Sequence, residues 1–236
     1  GSSGALLNVN PGGVLTLNGG LIAPPVRIFS GTGTVTFGQH VDTVYPQWWG
    51  ATADGVTDDA AAYQAACRTG KEVRVPRGTS MIGSPLALVS GSSLVGEGRA
   101  SILKAVANFG DNPVVKNLTD PATLGARDTN FRVAHLAIDG NRANNGTGTT
   151  LASGILLLSP TRVSIEHCTI VNTKGPAISV AHGAVASVHP EDIRICANVI
   201  TGAIYGISCS GGVALVLSQN TVTLVDTNAI QVYKTV

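Results

Sequence analysis

At 236 residues, 44% hydrophobic but only 12% charged, the chain is long enough to bury a substantial core and too poor in charge for a solvated helical bundle. A formal net charge of +1, with no Lys/Arg run, argues against nucleic acid as a partner. No apolar segment approaches the roughly 18 residues of a membrane span, so membrane insertion is excluded.

In chain order, residues 1–48 read as a β-rich linker segment. "GGVLTLNG" and "GTGTVTFG" alternate apolar and small polar residues between glycines, and "APP" cannot lie inside a central strand. Next comes "YPQWWGATADGVTDDAAAYQAAC", which holds both tryptophans of a chain with only 4% aromatic residues. Thr57 is placed to cap a helix over about 57–69, with Asp58 and Asp59 in the first turn, where the helix dipole favours carboxylates. Tyr63, Ala66 and Cys67 give that helix one apolar face, and Gly70 ends it. Trp48 and Trp49 read as anchors for a joint, with a sugar-stacking platform as the alternative. The cysteines at 67, 168, 196 and 209 have no metal-ligand spacing and read as buried free thiols of a chain folded in a reducing compartment.

From residue 130 onward the chain repeats. "RVAHLAIDG", "RVSIEHCTIVN", "IRICANVITG" and "ALVLSQNTVTLV" pair Val133 with Ile138, Ile165 with Ile170, Ile195 with Ile200, and Leu217 with Val222, five residues apart each time. A third aliphatic follows at Ile155, Ile178, Ile207 and Ile230. Steps of ten, five, and seven or eight residues make a unit of 22 or 23, with three short strands in each. Such a unit cannot bury its inner face alone, whereas stacked units at roughly 4.8 Å per coil share one aliphatic core. The fold class is therefore all-β, a parallel β-helix, with residues 49–236 forming the helix and the short α-helix sealing its first coil. Leu136, Cys168, Asn198 and Asn220 share one position, where an Asn can turn inward, satisfy the backbone of a bend and bond to the next coil.

The stretch from residue 45 to about 105 resembles the start of the pectate-lyase-like right-handed β-helix superfamily, and most of all bacteriophage tailspikes and related polysaccharide-degrading enzymes. The resemblance is carried by Trp49, Gly50, Ala51, Asp54, Gly55, Thr57, Asp58, Asp59, Gly78, Thr79, Ile82, Leu94, Gly96 and Gly98. It breaks at Ser80, where an aromatic is usual. "GEGRAS" at 96–101 fits a turn of that pattern and lacks the Lys and following helix of a phosphate loop. The resemblance implies a homotrimer joined to a virion tail through the N-terminal segment, with a bacterial surface polysaccharide as partner and no cofactor. A secreted bacterial enzyme is the alternative location.

The resemblance also implies a saccharide groove along the strip of "GIxV" strands. Spacing marks two excursions beside that strip, since Ile138 to Ile155 and Ile178 to Ile195 each take 17 residues. Alternation points Leu156, Ser179, Ser208 and Gln231 outward between them. This floor holds no carboxylate, so the acid–base pair of glycoside hydrolysis is not visible. The candidate catalytic residues are Asp226, the one acid kept just before a strip strand, with Lys174, His182 and His189, whose chemistry suits proton abstraction beside a uronate carboxyl. Arg142, Asn144 and Asn145 on one excursion, Glu191 and Asp192 on the other, and Ser179, Ser208 and Gln231 are the candidate substrate-binding residues; no metal site is expected. The reading is a phage tailspike-type protein that binds and depolymerises a bacterial surface polysaccharide. A non-catalytic β-helical shaft or adhesin segment is the alternative, favoured by the acid-free strip. "QVYKTV" stops within a coil, so either further chain is expected after Val236 or another subunit is expected to cover the edge.

Overall fold

The computed structural model describes residues 5–118, 127–145, 151–183 and 188–233. Parts of both excursions, 146–150 and 184–187, lie outside them. The chain folds as a right-handed parallel β-helix of three long sheets. The first sheet stacks Thr43–Val44, Glu72–Arg74, Ser93–Val95, Thr129–Ala134, Thr161–Glu166, Glu191–Cys196 and Val213–Ser218. The second stacks seven strands from Asp54–Asp58 to Thr221–Thr223, and the third six, from Leu86–Leu88 to Ile230–Tyr233.

Each sheet carries one unbroken inward column, because a one-residue slip in a parallel ladder would turn every aliphatic to solvent. The first column runs Val44, Val73, Leu94, Val133, Ile165, Ile195, Leu217. The second runs Ser80, Leu103, Ile138, Ile170, Ile200, Val222. The third runs Leu86, Val115, Ile155, Ile178, Ile207, Ile230. The repeat alignment read from sequence is thus the register of the fold. Exposure rises only in the last coil, from 0% at Ile207 to 46% at Ile230.

The bend between the first two sheets needs one left-handed residue per coil. His135, His167, Ala197 and Gln219 fill it, with φ of 53°, 53°, 55° and 54°. The next residue turns inward as expected. Asn198 donates from Nδ2 to the Ile165 carbonyl at 2.9 Å and to Asn220 Oδ1 at 3.0 Å, and its Oδ1 accepts from the Cys168 N–H at 2.9 Å. Asn220 donates in turn to the Ile195 carbonyl at 2.8 Å.

The helix runs Ala60–Cys67, shorter than the sequence suggested, and Thr57 does not cap it. Thr57 lies in the strand Asp54–Asp58, where its hydroxyl donates to Asp54 Oδ2 at 2.8 Å. The Asp54 carboxylate also takes the Thr57 and Val56 N–H groups, and these bonds lower its pKa to about 2. Asp58 Oδ1 instead serves the first helical N–H, of Ala60, at 3.0 Å, and that of Gly83 at 2.9 Å. Asp59, 2% exposed, ties the helix to the preceding loop through the N–H groups of Thr52 and Ala53, both at 2.9 Å.

The buried face of the helix covers the first coil. Tyr63, fully buried, reaches the Ser80 hydroxyl at 2.9 Å, so the helix supplies the aromatic ring that the second column lacks at Ser80. Gln64 closes the edge of the third sheet. Its Nε2 donates to the Ala87 carbonyl at 3.0 Å and its Oε1 accepts from the Ala87 N–H at 2.9 Å, as a neighbouring strand would. Before the helix, Trp48 is 1% exposed, donates to the Pro24 carbonyl at 3.0 Å and packs beside Phe37 and Tyr45. The Trp49 ring lies 5.1 Å from that of Phe29. Both indoles belong to an aromatic joint between the N-terminal strands and the first coil.

Candidate functional site

The strip is the outward side of the third sheet. Lys116, Leu156, Ser179, Ser208 and Gln231 stand above one another in register. Direction does not make them accessible, however: Leu156 is 7% and Ser179 9% exposed, and only Ser208 and Gln231 are half-buried. The strip therefore offers little open floor across its middle coils.

The residues flanking the strip fall into separate groups. Arg142, in the turn Arg142–Asn144, reaches past two intervening coils to pair with Asp226, Nη2 to Oδ2 at 2.5 Å. That guanidinium holds the Asp226 carboxyl below the usual range, so Asp226 is a weak base committed to a partner. Asn144 is exposed and donates to Asn141 Oδ1 at 2.9 Å. Asn145 is 4% exposed and fully engaged, accepting from the Phe109 N–H and donating to the carbonyls of Val106, Gly140 and Asn141. Lys174 is 5% exposed and lines a water-sized cavity with Phe109, Asn145 and Ser153.

His182 follows the strip strand Pro176–Ala181, half-buried, its Nδ1 2.9 Å from the Gly183 carbonyl oxygen. His189 is half-buried ahead of the strand Glu191–Cys196. Glu191 pairs with Arg127 at 2.8 Å, and Asp192 is exposed. Both acids belong to the first sheet, in register with the strand Thr161–Glu166. Among the described residues, no group of three or more His, Cys, Asp or Glu could hold a metal ion.

A different surface stands open, on the outward side of the first sheet. A shallow groove of about 480 Å³ is lined by Asn130, Arg132, Arg162, Ser164, Asp192 and Arg194, with Phe131 and Val163 behind them. Arg132, Ser164 and Arg194 share one outward column, so the two arginines stand two coils, roughly 10 Å, apart. Arg132 donates to Glu166 at 2.8 Å and holds that carboxyl below its ordinary range. Among the described residues, the side chain of neither Arg162 nor Arg194 has an ion-pair or hydrogen-bond partner, although Asp192 lines the same groove. Arg162 sits at φ 55°, in a left-handed column with Asn130, Asp192 and Ala214. For a residue with a side chain, this conformation costs roughly 1–2 kcal/mol, and Asn and Asp tolerate it best. The signal for this surface was in the repeat all along: Arg132 and Arg194 each precede the aligned aliphatics Val133 and Ile195 by one residue.

A family model described as rhamnogalacturonase A/epimerase, pectate lyase-like, matches residues 48–235. The pre-neck appendage protein of Bacillus phage phi29 is 32% identical over 133 residues, 56% of this chain but 14% of that protein. The A-module of the mannuronan C-5 epimerase AlgE4 of Azotobacter vinelandii superposes with a TM-score of 0.67 at 21% identity, over 81% of this chain and 53% of that one. The N-terminal fragment of phi29 gene product 12 superposes at 0.61 with 21% identity, over 72% and 32% of the two chains. This chain thus spans only a small part of the curated relatives it matches. From its coil register and the match across residues 48–235, it belongs to the rhamnogalacturonase A/epimerase, pectate lyase-like family.

Proposed function

We propose that this chain is a β-helical segment of a phage tail appendage that binds a bacterial surface polysaccharide. The observation that carries the reading is the 32% identity to the phi29 pre-neck appendage protein, together with membership of a family described by polysaccharide-acting enzymes. The geometry supports binding better than cleavage by these residues. Asp226 is paired with Arg142, Lys174 is buried, and the strip floor carries no carboxylate. The reading includes attachment to the virion through residues 1–48 and assembly as a homotrimer. It is tested by incubating the protein with capsule and lipopolysaccharide from a panel of strains and measuring retention and polymer length. Retention on at least one polymer is expected. Retention on none contradicts the reading, and a sedimentation mass equal to one chain contradicts the trimer.

A further inference from the structure

We infer that the polysaccharide is held in the arginine groove of the first sheet and that it is an acidic glycan, its carboxylates taken by Arg162 and Arg194. The inference rests on the polysaccharide-binding reading and adds a face, a ligand class and two residues. Arg132, Arg162 and Arg194 bring three guanidiniums into one groove, against the carboxylates of Asp192 and Glu166. Glu166 is engaged by Arg132, which leaves Arg162 and Arg194 as open forks of N–H donors. A guanidinium fork matches a carboxylate in plane and makes two parallel charge-assisted hydrogen bonds with it. The fold stacks the groove residues coil upon coil, so an extended chain lying across the coils passes Arg132, Arg162 and Arg194 in three successive coils.

Conformation argues in the same direction. Arg162 occupies a left-handed position that Asn130 and Asp192 fill in the coils on either side. Nothing in the backbone calls for an arginine there, and its side chain stabilises no neighbour by ion pairing. A strained residue without a structural partner, aimed into a groove, is one whose use lies outside the folded chain.

The test is binding of hyaluronate oligosaccharides, which carry a carboxylate on every second sugar, with dextran as the neutral polymer and polyglutamate as a carboxylate chain without sugars. Wild type, Arg162→Asn, Arg194→Ser and, as a charge control at the exposed residue just after the helix, Arg68→Ser are compared. Wild type is expected to bind hyaluronate, less tightly as salt rises, and neither of the other polymers. Arg162→Asn and Arg194→Ser should each weaken binding roughly tenfold or more, the loss of a charge-assisted hydrogen bond, while Arg68→Ser binds as wild type. Because Asn suits the left-handed position, Arg162→Asn should melt no lower than wild type, which separates lost binding from lost fold.

Equal binding by all four proteins overturns the groove and leaves the polysaccharide reading standing. Equal wild-type affinity for dextran or polyglutamate overturns the acidic-glycan assignment. A fall in sedimentation mass in either groove variant overturns the proposal by making this face a contact between copies. No wild-type binding to any polymer here, alongside retention on the strain panel, overturns this inference alone; failure on both sinks the reading as well.

Discussion

Three of the four thiols are sealed in the stack. Burial pushes Cys67, Cys168 and Cys209 up to about 12, so almost no thiolate exists at neutral pH. Cys196 is half-buried at the surface of the first sheet, its Sγ 3.1 Å from the Ser218 hydroxyl. A thiol-reactive dye should therefore label one site, Cys196, in native protein and four after denaturation. Fast labelling of more than one native site contradicts the packing of the columns. Free thiols were readable from spacing alone, but which one surfaces was not, because that depends on which side of the strand each faces. The acidic motif of residues 54–59 divides in the same manner. Its importance showed in the pattern, and Asp54 bonds to its neighbours Val56 and Thr57, whereas the roles of Asp58 and Asp59 depend on chain segments that folding brings near, such as Gly83 and Thr52.

The helix acts through one side chain as much as through its apolar face. Gln64 donates to and accepts from Ala87, so the outermost strand of the third sheet meets an amide instead of water. Gln64→Ala should cost about 1–3 kcal/mol, the price of leaving buried backbone groups unpaired, read as a lower urea midpoint. An unchanged midpoint would mean that the seal is made by apolar contact alone. No sequence signal separates Gln64 from any exposed helical glutamine, since its partner lies 23 residues away on another element. Strand registers were far more legible, because every coil repeats the same aliphatic spacing. The strip was legible only in direction: alternation shows that Leu156 and Ser179 face away from the core, not that both lie below one-tenth exposed.

At the scale of the whole molecule, one stack of coils presents three outward surfaces, and chemistry is distributed unequally among them. The strip's middle coils are closed, and the turns beside it spend their charges on each other, as in Arg142 with Asp226. The first sheet keeps two guanidiniums unspent in an open groove. Net charge of +1 hides this asymmetry, because the sum over the chain cancels what one face concentrates. The most direct measurement is a crystal structure of the protein with an acidic oligosaccharide bound. Sugar carboxylates against Arg162 and Arg194, with the chain crossing the strands Thr129–Ala134, Thr161–Glu166 and Glu191–Cys196, is the predicted result. Sugar seated instead on Ser208 and Gln231, with the groove vacant, would contradict it.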